Sequence, residues 1–406
     1  MLEKQLSKYL AQLREKRSVP LRIRLWDGTT ADLGENPIVT VSLRDMAAAR
    51  RLMNPTLDSL GTAFVEGEID VDGHARDIIE VAAALVDDDD EPGGALGRLP
   101  DWLAKHTRST DKKAIEYHYD VSNEFYARWL DPAMVYSCAY FPRGDEDLAQ
   151  AQRAKLEHVC RKLRLRPGMT LLDIGCGWGA LAIHAAKHHG AKVLGVTLSQ
   201  NQFDLARERV REAGLQDSVE IQLTDYRDIP GADVYDRISS IGMLEHVGLK
   251  NLPNYFGIVH RLLKPGGLTL QHGITSADPD DRSVGRGAGD FISRYVFPDG
   301  ELPHVSRAIS DISRAGLELT DAESLRRHYA RTLGFWSDAV EAQLPELLEL
   351  AGERRLRIWR VYLAGCAYGF AHGWVNVYQL LAAKPRQTAS GLEIDVPMSR
   401  ADLYAD

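Results

Sequence analysis

Residues 170–180 read Thr-Leu-Leu-Asp-Ile-Gly-Cys-Gly-Trp-Gly-Ala, an apolar run that passes directly into three glycines at alternate positions. Leu171, Leu172 and Ile174 predict a buried parallel strand. Gly175, Gly177 and Gly179 let the backbone turn tightly and approach a ligand where any β-carbon would collide. The following Leu181-Ala-Ile-His-Ala-Ala-Lys187 predicts a helix, so the turn delivers its ligand to a helix N-terminus. Asp173, between strand and glycines, suits a hydrogen bond to a polar or cationic ligand group. The bland alternative is a glycine-rich turn that holds nothing.

Two kinds of cofactor site share such a turn. Gly175-x-Gly177-x-x-Ala180 satisfies the relaxed nicotinamide fingerprint, which also wants an acidic residue about 20 positions on. The second strand is predicted at Lys192-Val193-Leu194-Gly195-Val196 and ends in Thr197, with no carboxylate. The full pattern Asp-x-Gly-x-Gly-x-Gly over 173–179 resembles instead the signature of S-adenosylmethionine-dependent methyltransferases. Many of those also carry an acid at the second strand end, so Thr197 alone does not decide between the two.

At 406 residues the chain exceeds the usual span of a single core, which predicts two domains. Its composition is that of an ordinary soluble protein, and no stretch approaches the ~20 apolar residues that cross a bilayer. The amphipathic start, Met1–Leu10, lacks a signal-peptide core. Cys138, Cys160, Cys176 and Cys366 are scattered, with neither a disulfide framework nor metal-ligand spacing, so a cytoplasmic protein without a metal is expected. A net charge of −9 argues against nucleic acid as the principal partner. Local basic runs decide membrane contact, and two qualify: Arg153 to Arg166, and Arg354-Arg355-Leu356-Arg357-Ile358-Trp359-Arg360. A solvated helix face is the ordinary account of each taken alone.

Asp87-Asp88-Asp89-Asp90-Glu91-Pro92-Gly93-Gly94 marks a linker over 87–100, because four adjacent like charges cannot enter a core. Before it, residues 1–86 predict a small α+β domain with strands at 21–25 and 38–42, an Asp27-Gly28 turn, and helices at 44–53, 56–65 and 76–86. After it, 101–406 forms the catalytic domain. Strands at 170–174, 192–197, 218–223, 235–241 and 267–274 alternate with helices at 179–189, 199–213 and 251–263, which specifies a parallel sheet covered on both faces. Helical patterns then dominate 303–372 around a strand at 317–320, and Val375 to Leu381 predicts a late edge strand. The Gly-, Asp- and Arg-rich stretch 275–290 predicts a mobile excursion over the site.

Ligands of such sheets bind beyond the carboxyl ends of the strands, where strand order reverses. The strand ends nominate Asp173 to Gly179, then Thr197 and Leu198 with Gln202 one turn on, then Asp225 and Tyr226, able to bond and flank an adenine ring. The fourth ends at Ile241 and Glu245, and the fifth at His272 and Ile274. An acid and an imidazole at neighbouring strand ends suit proton handling. A helix N-terminal carboxylate and a satisfied core histidine are the structural alternatives.

Beyond the glycine loop, the chain resembles the cyclopropane-fatty-acid synthase family, which includes the mycolic-acid methyltransferases, over residues 117–384. The resemblance rests on His118-Tyr119-Asp120-x-x-Asn123, on Tyr136-Ser137-Cys138-Ala139-Tyr140-Phe141, and on Gly195-Val196-Thr197-Leu198-Ser199. It continues in Gly242-Met243-Leu244-Glu245-His246-Val247-Gly248, Tyr295-Val296-Phe297-Pro298 and Tyr329-Ala330-Arg331-Thr332-Leu333. It implies an α/β class I methyltransferase, Rossmann-like, with a mostly parallel seven-stranded sheet. The implied reaction passes the methyl of S-adenosylmethionine to a cis double bond of a phospholipid acyl chain, then closes a cyclopropane ring. A methylene or methyl branch from the same cation is the alternative.

Such an alkene needs a dry, aligned channel, and its carbocation suits aromatic faces. Tyr140, Phe141, Tyr295, Phe297, Phe335, Trp336, Tyr368 and Phe370 are the candidates. The family's base is thought to be a bound bicarbonate. The resemblance carries its site onto Cys138, Glu245, His272, Ile274 through its backbone, and Tyr329. It carries the donor site onto Tyr136, Ser137, Gly175, Gly177, Thr197, Leu198, Gln202 and Ile241, with Asp225 and Tyr226 near adenine. Peripheral association with the inner face of a bilayer is implied. The resemblance does not reach residues 1–100, whose position allows lipid capture, a homodimer contact, or both. A cofactor-binding lipid protein without catalysis is the rival of another class.

A β-branched side chain at Gly177 fills the space assigned to the donor. Gly177→Val is expected to abolish S-adenosylmethionine binding in calorimetry, and undiminished affinity would remove the proposed site.

Overall fold

Alternation of buried residues builds both sheets. The computed structural model describes residues 9–15, 18–53, 55–86, 122–280, 288–298 and 300–404. The 87–100 linker, His118 to Asp120 and most of Met1–Leu10 lie outside them, as do residues 281–287 of the predicted excursion. The chain divides into two compact units, one formed by 1–100, 284–298 and 333–374, the other by 101–283, 299–332 and 375–406. A cut at the linker would instead leave 284–298 and 333–374 with the catalytic segment. Their apolar helix faces are visible in the sequence, but what each face packs against is not.

The first unit holds a four-stranded sheet in the order β2-β1-β3-β4, from β1 (Leu21–Arg24), β2 (Thr30–Asp32), β3 (Val39–Leu43) and β4 (Ile69–Asp72). β1 and β2 form a hairpin around Asp27-Gly28, where the Thr29 N–H donates to Asp27 Oδ1 at 2.8 Å and Gly28 takes φ +87°. β2 and β4 are short and mostly polar, so they escaped the sequence pattern. The helices Met46–Met53, Leu57–Val65 and Ala75–Leu85 match their predicted spans within two residues. Thr56 and Ser59 close a capping box on the second of them.

The basic run at 354–360 lies on the helix Glu353–Ala371 of this unit, and its arginines are engaged within it. Arg354 pairs with Glu66 at 2.7 Å, Arg357 with Asp70 at 2.7 Å and Arg360 with Glu341 at 2.6 Å, while Trp359 is buried. Three arginines of the run are thus held in ion pairs, the Arg354–Glu66 pair in contact with solvent.

In the second unit, β5 (Thr170–Ile174), β6 (Lys192–Thr197), β7 (Val219–Leu223), β8 (Tyr235–Ile241), β9 (Leu263–Ser276), β10 (Glu318–Ser324) and β11 (Val375–Ala383) form one sheet. Its order is β10-β11-β9-β8-β5-β6-β7. β5 pairs parallel with both β6 and β8, so the strand order reverses at β5 and the crevice beyond its carboxyl end is the expected ligand position. Leu171 enters one core cluster, beneath the helices Leu148–Lys162, Ala180–His189 and Gln200–Glu212. Leu172 and Ile174 enter the other, beneath the helices Leu252–Leu262 and Val305–Arg314. That is the period-two signature of a strand covered on both faces.

β11 corrects the expectation of an edge strand. It runs antiparallel between β9 and β10, and nearly all of it is buried. β10, reading Glu-Leu-Thr-Asp-Ala-Glu-Ser, takes the edge, where polar residues are tolerated. The other basic run is divided between the interior and the surface, with Arg153 and Arg166 exposed. Lys155 and Lys162 are buried, Lys162 pairs with Glu323 at 2.5 Å, Arg164 with Asp402 at 2.9 Å and Arg166 with Asp395 at 3.0 Å.

Gly273 on β9 faces the short helix Leu244–Val247, and a Cβ there would stand 2.7 Å from Leu244 Cβ. Gly273→Ala is expected to lower unfolding free energy by about 1–3 kcal/mol in denaturant melts, since overpacking must displace Leu244.

Candidate active site

The glycine turn has the geometry its sequence requires. Gly175, Gly177 and Gly179 take φ of +76°, +56° and +81°, and the N–H groups of Gly175 and Cys176 both donate to the Val196 carbonyl at 3.0 Å. A Cβ on Gly175 would strike Met243 Sδ at 2.8 Å, whereas one on Gly177 meets nothing within 4 Å. The open side of the turn is thus at Gly177, and Met243 covers Gly175. Gly179 caps the helix Ala180–His189 in the left-handed region.

Around the turn, the donor-site residues are held by partners the sequence did not name. Asp173 is buried and accepts from Ser239 Oγ at 2.8 Å, and burial pushes its carboxyl up to about 6. Ser137 Oγ accepts from the buried Lys155 Nζ at 2.7 Å, and its carbonyl accepts from Gln152 Nε2 at 2.9 Å. Burial brings the Lys155 ammonium down to about 8. A hydroxyl that accepts from Lys155 still has its own proton to donate. Tyr136 is half-buried, its ring centroid 5.6 Å from those of Tyr126 and Trp129. The buried Asp131 shapes the approach to it by accepting from the N–H groups of Ala133 and Val135. Thr197 Oγ1 donates to Gln202 Oε1 at 2.8 Å, turning the Gln202 NH2 away from Thr197, and Leu198 is half-buried beside them.

Asp225 and Tyr226 have intramolecular partners. Arg227 chelates the Asp225 carboxylate, at 2.6 Å for the closest contact, and Tyr226 packs edge-on against Tyr255. Of the aromatic candidates, Tyr140 is stacked between His158 and His328, with centroids at 4.2 and 5.0 Å, and Phe141 continues the stack against His328. Tyr295, Phe297, Phe335, Trp336, Tyr368 and Phe370 belong to the first unit.

The residues expected to handle a proton lie just beyond the end of β8 and within β9, where His272 pairs with Gln379 of β11. Ile241 is in register with His272, and the Gly242 N–H donates to the His272 carbonyl at 2.8 Å. The chain then turns into the helix Leu244–Val247 that carries Glu245. Glu245 is half-buried as a residue, but its Oε2 is closed off from solvent and has no hydrogen-bond partner among the described residues. Burial pushes its carboxyl up to about 7, against its own N–H and that of Ile274, which favour the ionised form.

His272 is buried. Burial, and then the Lys155 and Lys162 ammoniums, hold its imidazole well below the ordinary value, so the ring is neutral. Gln379 Nε2 on β11 donates to His272 Nδ1 at 3.2 Å, which places the ring proton on Nε2. That Nε2 also lacks a partner among the described residues. On an edge strand a glutamine at 379 is unremarkable. Inside an apolar strand it is the signal of a buried bond.

Cys138 is buried with its Sγ 3.3 Å from the Ala139 carbonyl and 3.8 Å from that of Leu325, and burial drives its thiol far up. It is a protonated wall residue and no nucleophile. The Ala139 N–H donates to Thr332 Oγ1 at 3.1 Å, tying this segment to the opening turns of the helix Arg326–Glu341, which carries the buried Tyr329. Leu325 at the head of that helix donates to the Val377 carbonyl of β11, two residues before Gln379.

Residues 106–380 match the family model described as Mycolic acid cyclopropane synthetase. The chain belongs to that family. Residues 8–88 match a second model, a Domain of unknown function (DUF7884). A Pseudomonas putida protein named "Probable fatty acid methyltransferase" is 50% identical over 390 residues, 95% of this chain and 96% of its own. The cyclopropane-fatty-acyl-phospholipid synthase of Escherichia coli K12 is 41% identical over 277 residues, 68% of this chain and 69% of its own. The mycolic acid cyclopropane synthase CmaA1, solved with SAH and CTAB, superposes with a TM-score of 0.63 at 36% identity, covering 67% of this chain and 97% of that one. The fold is therefore that of a class I S-adenosylmethionine methyltransferase, and the nicotinamide alternative falls.

The Glu245 carboxyl has a consequence for stability. Its folded pKa lies above the ordinary 4.5, so the folded protein keeps a proton that the unfolded chain loses as pH rises from about 4.5 to about 7. Glu245→Gln is expected to gain stability relative to the parent over that window, by about 2–3 kcal/mol at pH 8, and none at pH 4. Melts at both pH values check it; a pH-independent difference would contradict it.

Proposed function

We propose that this methyltransferase transfers the methyl of S-adenosylmethionine to the cis double bond of an unsaturated phospholipid acyl chain and closes a cyclopropane ring. The observation that carries this is the pair of buried polar atoms left open at the ends of β8 and β9, Glu245 Oε2 and His272 Nε2. A neutral imidazole with its proton on Nε2, and a carboxyl poised near neutrality, suit a small oxyanion between them, because a half-protonated acid can donate where a carboxylate would repel. Bicarbonate fits that donor set, and when bound it supplies the base that accepts the proton lost at ring closure. S-adenosylmethionine supplies the electrophilic methyl.

The chain's own residues do the rest. Gly177 leaves room at the turn for the donor, while Lys155 and Gln152 fix Ser137 beneath it. Gln379 fixes the tautomer of His272, and the Ile274 N–H orients the Glu245 carboxyl. Tyr329 and the Cys138 backbone are assigned to the same oxyanion by the family likeness.

Acyl chains of phospholipids lie in bilayers, so transient association with a lipid surface is part of the proposal. No described helix is long and apolar enough to cross one. A second outcome, a methyl or methylene branch from the same cation, is favoured by the name of the whole-length relative, a fatty acid methyltransferase.

Incubation with methyl-labelled S-adenosylmethionine and oleoyl phospholipid vesicles, followed by proton NMR of the extracted lipid, separates the products. Upfield ring protons are expected; vinylidene or methyl-branch signals give the second outcome, and unlabelled tails under every lipid tried would end both. Glu245→Gln is expected to keep donor affinity within about twofold while turnover drops by about 100-fold. A loss of affinity equal to the loss of rate would exclude the role given to Glu245.

A further inference from the structure

A second group of chemically capable side chains meets where two helices of the catalytic unit come together. Cys160 lies near the end of the helix Leu148–Lys162, and His184 and His189 lie on the helix Ala180–His189. Each offers a ligand atom within 4.8 Å of the other two. Glu157, one turn before Cys160, turns its Oε2 to both imidazoles, at 3.1 Å from His184 Nε2 and 3.0 Å from His189 Nε2. Its Oε1 accepts from Arg161 Nε at 2.9 Å. Cys160 is buried, the two histidines are half-buried, and the His188 ring stands 4.6 Å from that of His184.

We propose that Cys160, His184 and His189 form a divalent transition-metal site of zinc type, with Glu157, whose carboxylate already meets both imidazoles, swinging toward the thiol to complete the set. Tetrahedral zinc, with bonds of about 2.0–2.3 Å, sets its ligand atoms roughly 3.3–3.8 Å apart. The two carboxylate–imidazole spacings are already that close, and the widest spacing in the Cys-His-His set needs a contraction of roughly 1 Å, within reach of side-chain rotation. Thiolate, imidazole and carboxylate together suit zinc and disfavour magnesium or calcium, which want oxygen alone.

Charge balances too. The buried thiol gives up its proton to solvent as the sulfur–metal bond forms, and the thiolate and carboxylate then neutralise the dication. Arg161 keeps the carboxylate aimed, as outer partners of metal sites do. The metal would clip the helix that carries Gln152 and Lys155 to the helix that follows the glycine turn. Four protein ligands make the site structural, with no open position for substrate. Sequence spacing could not reveal it, because the cysteine and the histidines lie on different helices.

Full-length protein stripped with chelator and titrated with Zn2+ or Co2+ tests this, with methyl transfer playing no part in the readout. One equivalent is expected to bind, with proton release, a thiolate-to-cobalt charge-transfer band, tetrahedral ligand-field bands, and a rise of several degrees in the thermal midpoint. Cys160→Ser and His189→Gln are each expected to weaken zinc binding at least tenfold, while Cys366→Ser leaves it unchanged. The absence of stoichiometric binding, a cobalt spectrum without the thiolate band, or undiminished affinity in both variants would overturn the assignment. The cobalt spectrum of the parent protein reports the thiolate directly, so the outcome stands even where a variant fails to fold.

Discussion

Burying a carboxyl and an imidazole at adjacent strand ends, each with one hydrogen-bonding atom left open, costs free energy that an ordinary core would not tolerate. Here the cost is sustained by the sheet. β8 and β9 fix the backbone on which Glu245 and His272 stand, and β11 supplies the amide that selects the histidine tautomer. Leu244 packs onto Gly273, so the helix carrying Glu245 can lie close against β9. Unsatisfied polar atoms in so well-packed a setting call for an explanation, and the proposed oxyanion between them supplies one.

The donor side follows a different logic, in which nearly every polar group is already engaged. Asp173 with Ser239, Ser137 with Lys155, Thr197 with Gln202 and Asp225 with Arg227 are closed pairs. On the proposed reading, such closed pairs hold the groups that would face the donor in fixed orientations, which lowers the entropy lost on binding. Lys155 is set by opposing influences, its burial weakening its hold on a proton while Cys138, Asp131 and Asp173 strengthen it.

The sequence made the central sheet legible because β5, β6 and β8 are apolar runs bounded by turn residues and separated by helices of ordinary length. Glu245 and His272 were visible as strand-end residues, but chemistry alone left them balanced against structural roles. Family likeness tipped that balance. What could not be read was long-range pairing. Val375 to Leu381 has the same pattern whether it borders solvent or lies between two strands, so Gln379 went unrecognised. Lys155 and Lys162 count as basic residues in a one-dimensional tally, yet both are buried once their helix is placed. The ion-pair partners of Arg354, Arg357 and Arg360, namely Glu66, Asp70 and Glu341, likewise cannot be read from the run itself, Glu66 and Asp70 being remote in sequence.

The interior position of β11 constrains how the chain is made. Its residues are synthesised long after β9, yet they fill the slot between β9 and the edge. Until Ala383 has left the ribosome, β9 stands with one side of its backbone unpaired and its apolar side chains partly uncovered. Such an open flank is a ready template for pairing with other chains until β11 closes it.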